Sequence, residues 1–98
     1  MGDSWKAIAD GSRRQILLLL RDGEKTPGEL AASFEFTLPA LSTHLRVLRE
    51  ANLVSERKAG QNRFYSLNAE EMSAMLRFFD EFWDVNLARL KRHAEHRS

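Results

Sequence analysis

Three histidines, His44, His93 and His96, are the side chains best suited to hold a metal or move a proton, and no cysteine accompanies them. His93 and His96 stand three residues apart, a spacing that can set two imidazoles on one helix face for a divalent cation. Asp80 or Asp84 of a second copy could complete such a site. The stretch around them, Lys91-Arg92-His93-Ala94-Glu95-His96-Arg97, reads more simply as a basic tail, so neither a metal nor another cofactor is expected. The lack of cysteine excludes disulfides, thiolate metal sites and a cysteine nucleophile. Catalysis needs a nucleophile or metal beside an oriented base. Only His44 lies away from the tail, and no glycine-rich phosphate loop is present, so the chain is not expected to be an enzyme.

Hydroxyls and cations carry the remaining chemistry. Setting residues 37–51 at 100° steps puts Leu38, Leu41, Leu45 and Leu48 on one stripe of a helix, with Pro39, Ser42, Thr43 and Arg46 on the opposite face. Short side chains near the start of that face let a helix sink into a groove, and its hydroxyls can meet base edges or phosphates. Arg46 could reach guanine O6 and N7 or a phosphate, and both stay open. His44 falls at the border of the leucine stripe, where a partly buried structural role is as consistent as a contact. The net charge of +1 conceals an asymmetry. Residues 37–67 carry +3, from Arg46, Arg49, Arg57, Lys58 and Arg63 against Glu50 and Glu56, whereas residues 68–90 carry −3. The basic part is a candidate nucleic-acid face, to be weighed against an ordinary solvated surface.

These groups need elements to hold them. Asp3 or Ser4 can cap a short first helix bearing Trp5, Ile8 and Ala9, broken near Gly11. Ser12 can cap a second through Ile16-Leu17-Leu18-Leu19-Leu20, an apolar run that suggests burial on several sides, and Asp22-Gly23 ends it. Thr26-Pro27 opens a third helix with a capping hydroxyl and a proline at the first helical position; Leu30, Ala31 and Phe34 form its apolar face. Thr37 caps the fourth, which runs to about Ala51. Leu53–Lys58 and Asn62–Leu67 then read as strands about Ala59-Gly60-Gln61, where Gly60 can supply the positive φ of a tight hairpin. Arg57, Lys58, Gln61, Asn62 and Arg63 ring a tip with nothing apolar at its apex, suited to a phosphate backbone or a minor groove, or simply to solvent.

Asn68 caps the final helix, and Glu70 and Glu71 suit the positive end of its macrodipole. Met72, Met75, Leu76, Phe78, Phe79, Phe82, Trp83, Val85, Leu87 and Leu90 cover an arc of roughly 200°, about twice what docking on a single core requires. A chain of 98 residues is one small domain with a thin core, so the other half of that arc is expected to meet a second copy of the helix. Trp5, Phe79, Phe82 and Trp83 read as dimer or core packing rather than a cofactor box. At 43% apolar and 30% charged, with no apolar run near the roughly 18–20 residues of a membrane span and no signal peptide, the chain is expected to be cytoplasmic without membrane insertion.

Two stretches point to a family. Ala7-Ile8-Ala9-Asp10-Gly11-Ser12-Arg13-Arg14-Gln15-Ile16-Leu17 resembles the Ala-Leu-Ala-Asp-Pro-Thr-Arg-x-x-Ile-Leu opening of ArsR-type bacterial transcriptional regulators. Leu41-Ser42-Thr43-His44-Leu45-Arg46-Val47-Leu48 is similar to their recognition-helix motif, Val-Ser-x-His-Leu-x-x-Leu. Ala51-Asn52-Leu53-Val54 matches the turn into the wing, and Gly60 through Tyr65-Ser66-Leu67 the wing itself, so the resemblance spans essentially the whole chain. It implies a mainly α fold with a small β-hairpin, a winged helix-turn-helix of about five helices and a two-stranded wing, with residues 1–98 as a single domain. It further implies a homodimeric, sequence-specific repressor on an inverted-repeat operator in double-stranded DNA, with autoregulation a reasonable expectation. Residues 1–10 and 68–92 would form the dimer interface through Trp5, Ile8, Phe79, Phe82, Trp83, Leu87 and Leu90. DNA contacts would fall to Thr37, Pro39, Ala40, Ser42, Thr43, His44 and Arg46 in the helix, and to Arg57, Lys58, Gln61, Asn62 and Arg63 in the wing. Arg13 and Arg14 stay open between a structural ion pair and phosphate contact.

Two departures from the family pattern matter. Gly11-Ser12 replaces the usual Pro-Thr, which softens the turn between the first two helices. The third helix has no metal-sensing cysteines, and the last begins Asn68-Ala69-Glu70-Glu71 without the Asp-x-His of the family's other metal site. Two other roles stay open: a winged helix used mainly as a protein-interaction module, and a regulator answering to a small molecule or partner protein in the dimer cleft. The inducer or regulator protein is unknown from sequence.

Overall fold

Capping chemistry sets where the helices begin. Thr26 and Glu29 close a reciprocal pair: Thr26 Oγ1 accepts from the Glu29 amide at 3.2 Å, and Glu29 Oε1 accepts from the Thr26 amide at 3.1 Å. Thr37 Oγ1 accepts from the Ala40 amide at 3.3 Å, and Asn68 Oδ1 from the amides of Glu70 and Glu71 at 3.1 and 3.4 Å. The computed structural model describes residues 2–33, 36–81 and 89. In chain order it has α1 (Gly2–Ile8), α2 (Gly11–Leu20), α3 (Pro27–Ser33), α4 (Leu38–Glu50), β1 (Val54–Ala59), β2 (Asn62–Leu67) and a fifth helix, α5, over 69–81. This is the expected winged helix-turn-helix, five helices with one antiparallel hairpin among the described residues.

Two caps differ from expectation. Asp10, not Ser12, caps α2, its carboxylate accepting from the Arg13 amide at 3.1 Å. That hydrogen bond, foremost among several influences, holds the Asp10 carboxyl below its usual range. Asp3 and Ser4 lie inside α1 rather than ahead of it. Ser4 is fully buried, because its hydroxyl has partners on two other elements. It lies 3.2 Å from the Ala51 carbonyl and within hydrogen-bond distance of the Glu71 carboxylate, and its single proton serves one of them at a time. The end of α4 is closed by Asn52 at φ 63, with the Asn52 amide donating to Arg49 at 3.0 Å and the Leu53 amide to Leu48 at 2.9 Å.

Ile16, Leu17 and Leu20 of α2, Leu30 of α3, and Leu41, Leu45 and Leu48 of α4 pack with Leu53, Val54, Tyr65 and Met75 in one cluster. Two leucines leave their expected places. Leu18 is 53% exposed, since Ile16, Leu17 and Leu20 already fill the inner side of α2, so the apolar run is not buried all round. Leu38 is 64% exposed although it shares the leucine stripe. It opens α4 a turn ahead of the core, and periodicity gives a residue's angle about the axis without providing a neighbour at that level.

β1 pairs with β2 from Val54↔Leu67 to Ala59↔Asn62, which leaves a turn of two residues, Gly60 and Gln61, rather than three. Gly60 takes φ 63 at the first central position, the left-handed conformation that short hairpin turns demand. A bridge between Lys25 and Tyr65, with backbone hydrogen bonds of 2.9 and 2.8 Å, ties the segment before α3 onto β2.

On α5 the wide apolar arc divides. Met75 is buried and Met72 packs against the core, whereas Leu76, Phe78 and Phe79 keep 61%, 47% and 38% of their surface exposed. The Trp5 ring of α1 meets Phe78 and Phe79 edge-on, at centroid distances of 5.4 and 5.1 Å. Phe34, Phe82, Trp83, Val85, Leu87, Leu90, His93 and His96 lie outside the described residues. No helix among the described residues is long and apolar enough to cross a membrane.

Candidate nucleic-acid interface

The start of α4 stands clear of the core. Thr37, Pro39, Ala40, Ser42, Thr43 and Arg46 are all exposed, while Leu41, Leu45 and Leu48 anchor the opposite side. Thr43 donates its hydroxyl proton to the Pro39 carbonyl at 3.1 Å, which leaves its oxygen as an outward acceptor. Arg46 forms no ion pair among the described residues. His44 is half-buried, with Nδ1 fully buried and unpartnered among the described residues, and its ring lies edge-on to Phe36 at 6.3 Å. It sits at the border between the buried side of the helix and its exposed face. Between α4 and the hairpin runs an open cleft of about 240 Å³, bordered by Pro27, Leu38, Ser42 and Arg63.

The five cations of the basic half are not equivalent. Arg57 donates to Glu24 at 2.6 Å and lies over the Phe64 ring, 4.7 Å from its centroid. The Glu24 hydrogen bond raises the Arg57 pKa further. Arg49 donates to Glu56 at 2.6 Å. Arg63 approaches Glu56 only to 4.0 Å, and Lys58 makes no ion pair among the described residues. Lys58, Gln61, Asn62 and Arg63 stay exposed around the hairpin tip. Arg46, Lys58 and Arg63 are thus the cations best placed to meet a polyanion, while Arg49 and Arg57 are engaged within the protein.

Glu56 is the organiser that composition alone does not reveal. It accepts from Arg49 and, at 3.1 Å, from the Tyr65 hydroxyl. Burial by itself would raise its pKa, but the Tyr65 and Arg49 hydrogen bonds and the nearby Arg63 hold the carboxyl below its usual range. Burial, then Glu56, push the Tyr65 hydroxyl up. A carboxylate with a lowered folded pKa stabilises fully above its unfolded pKa, and that contribution disappears as pH falls through the folded value. Glu56→Gln should therefore lower the melting temperature by about 4–8 °C at neutral pH, for a loss of about 1 kcal/mol. The gap to wild type should narrow only as pH falls below the ordinary carboxylate range, and close once the folded Glu56 carboxyl is itself protonated. A gap that stays constant across an acid series of thermal melts would remove the charge from this account. The expected three-residue turn would have set Glu56 opposite Phe64, so only the observed register places it across from Tyr65.

A family model for bacterial regulatory proteins of the arsR family matches residues 10–56. The chain is 42% identical over 80 residues to the HTH-type transcriptional regulator Rv2034 of Mycobacterium tuberculosis, covering 82% of this chain and 75% of that protein. This chain belongs to the arsR family of bacterial regulatory proteins. It is also 38% identical over 85 residues to the transcriptional repressor SdpR of Bacillus subtilis, across 83% of this chain and 94% of SdpR. Among solved structures it is similar to a possible transcriptional regulator for arsenical resistance, with TM-score 0.78 and 42% identity over 90% of this chain and 92% of that one. It is likewise similar to the homodimeric winged helix-turn-helix DNA-binding domain Mb0332 of Mycobacterium bovis, with TM-score 0.70 and 29% identity over 85% and 77% of the two chains.

Family membership makes the chain a transcriptional regulator and not an enzyme. Within this ArsR-family chain, Arg13 and Arg14 both reach back to the backbone at the end of α1. Arg13 Nε donates to the Ala7 carbonyl at 2.6 Å and Arg14 Nη1 to the Ile8 carbonyl at 2.8 Å. Two guanidinium groups thus satisfy the last carbonyls of α1 and complement the negative end of its dipole. No group of three His, Asp or Glu side chains among the described residues could hold a metal ion.

Proposed function

We propose that the chain is a homodimeric, sequence-specific DNA-binding repressor of transcription, acting on an inverted-repeat operator, with its own promoter as the first candidate target. One observation carries this reading. The exposed hydroxyls of Ser42 and Thr43 and the guanidinium of Arg46, which forms no ion pair among the described residues, stand beside a hairpin tip bearing Lys58 and Arg63, while the neighbouring Arg49 and Arg57 are neutralised internally. The start of α4 enters the major groove, where Pro39, Ala40 and Ser42 are short enough for close approach and Thr37 closes the helix end. Gln61, Asn62, Lys58 and Arg63 follow the flanking backbone. Residues 1–10 and 68–92 supply the two-fold contact, with Trp5, Ile8 and Phe79 joined by Phe82, Trp83, Leu87 and Leu90. The homodimeric state of the Mb0332 domain supports this arrangement. A dimer so built reads half-sites about 34–36 Å apart and represses by occupying the promoter.

Fluorescence anisotropy against DNA from the gene's own upstream region, at two salt concentrations and with scrambled DNA as control, tests the reading. Binding should prefer the upstream sequence and fall steeply with salt. Equal, salt-insensitive binding to both duplexes would overturn it. In the same titration Arg63→Ala should weaken binding alike on both sequences and reduce the salt slope by about one, as a backbone contact does. A loss confined to the upstream duplex would make the wing a reader of bases.

A further inference from the structure

We propose that Leu38 contacts a thymine C5-methyl group in each operator half-site and so sets sequence preference; the inference rests on the DNA-binding function proposed above. Leu38 is the first residue of α4 and 64% exposed, a large aliphatic side chain on a surface otherwise built from short residues, hydroxyls and a cation. At helical spacing it stands about 40° from Ser42 and about 80° from Arg46, so it belongs to the margin of the exposed face nearest the wing. It borders the cleft that Pro27, Ser42 and Arg63 also line. The core does not use it, and no element of the described chain covers it.

The occupant follows from chemistry. Arg63 borders the same cleft, and a cation beside this apolar side chain favours a polyanion over an apolar protein surface. The first residues of a helix seated in the major groove meet base edges. There guanine, cytosine and adenine offer only donors and acceptors, which a leucine would desolvate without return. Thymine alone adds a methyl group, so it is the base edge on which Leu38 buries surface favourably.

The test begins with the full-length chain and a pool of random duplexes. After selection, each thymine of the enriched duplex is replaced in turn by uracil, which deletes only the methyl group. At one thymine per half-site, uracil should weaken wild-type binding about three- to fivefold, the effect of one methyl group leaving an apolar contact. In Leu38→Ala that penalty should vanish, while the melting temperature stays at its wild-type value, as befits an exposed residue. A selected duplex indifferent to every uracil, or a penalty that persists in Leu38→Ala, would overturn this contact alone. A pool that yields no enriched duplex would overturn the DNA-binding function and this contact with it.

Discussion

Phe78→Ala combined with Phe79→Ala should convert the proposed dimer to a monomer of 11.3 kDa at micromolar concentration. Both rings lie on the part of α5 that the core leaves open, beside the exposed Leu76. In a two-fold interface each patch meets its own copy, so two substitutions remove four rings. Counting only about 1 kcal/mol for each, well under the value for full burial, gives about 4 kcal/mol. That is close to a thousandfold in the dimerisation constant. Because both rings keep much of their surface exposed within one protomer, the variant should still fold, although it gives up ring contacts that include those to Trp5. Sedimentation velocity reads the result directly, and an unchanged mass would move the interface off this face. Operator affinity should fall with dimerisation, since a monomer engages one half-site.

Arg46→Ala should cost the most of any single substitution on the exposed face of α4, about tenfold to a hundredfold in affinity for the upstream duplex. The pattern of loss separates its two possible contacts. If Arg46 forks onto guanine O6 and N7, binding to scrambled DNA changes little and preference at one base pair relaxes. If it meets a phosphate, both duplexes suffer alike and the salt slope falls by about one. Full retention of affinity on both would exclude α4 as the reading helix.

Much of this architecture was legible because its causes are local. Thr37, Thr26-Pro27 and Asn68 announce helix starts through hydroxyl, proline and amide chemistry that needs only the next three residues. The buried stripe of Leu41, Leu45 and Leu48 follows from angle alone. What escaped depends on depth or on distant partners. Leu38 shares the stripe's angle but extends past the core. Asp10 and Ser12 are both capping types two residues apart, and only the position of the Arg13 amide decides between them. Arg13 and Arg14 bond to backbone carbonyls, which have no sequence signature. Arg49 and Arg57 find carboxylates 7 and 33 residues away, and those pairings depend on hairpin register and on where the segment before α3 returns.

Three cross-ties deserve to be taken together: the Lys25–Tyr65 backbone pair, the Glu24–Arg57 bridge and the Arg49–Glu56 bridge. They join the segment ahead of α3, the far end of α4 and both strands of the hairpin, so helix and wing are braced against each other. One base pair inserted between half-sites shifts a reading head by about 3.4 Å along the duplex and turns it by about 35° around it. No joint between α4 and the hairpin takes up such a step. In the proposed dimer the compliance therefore sits where α1 and α5 of two protomers meet, and that contact acts as the gearing of the molecule, setting which operator spacings it accepts.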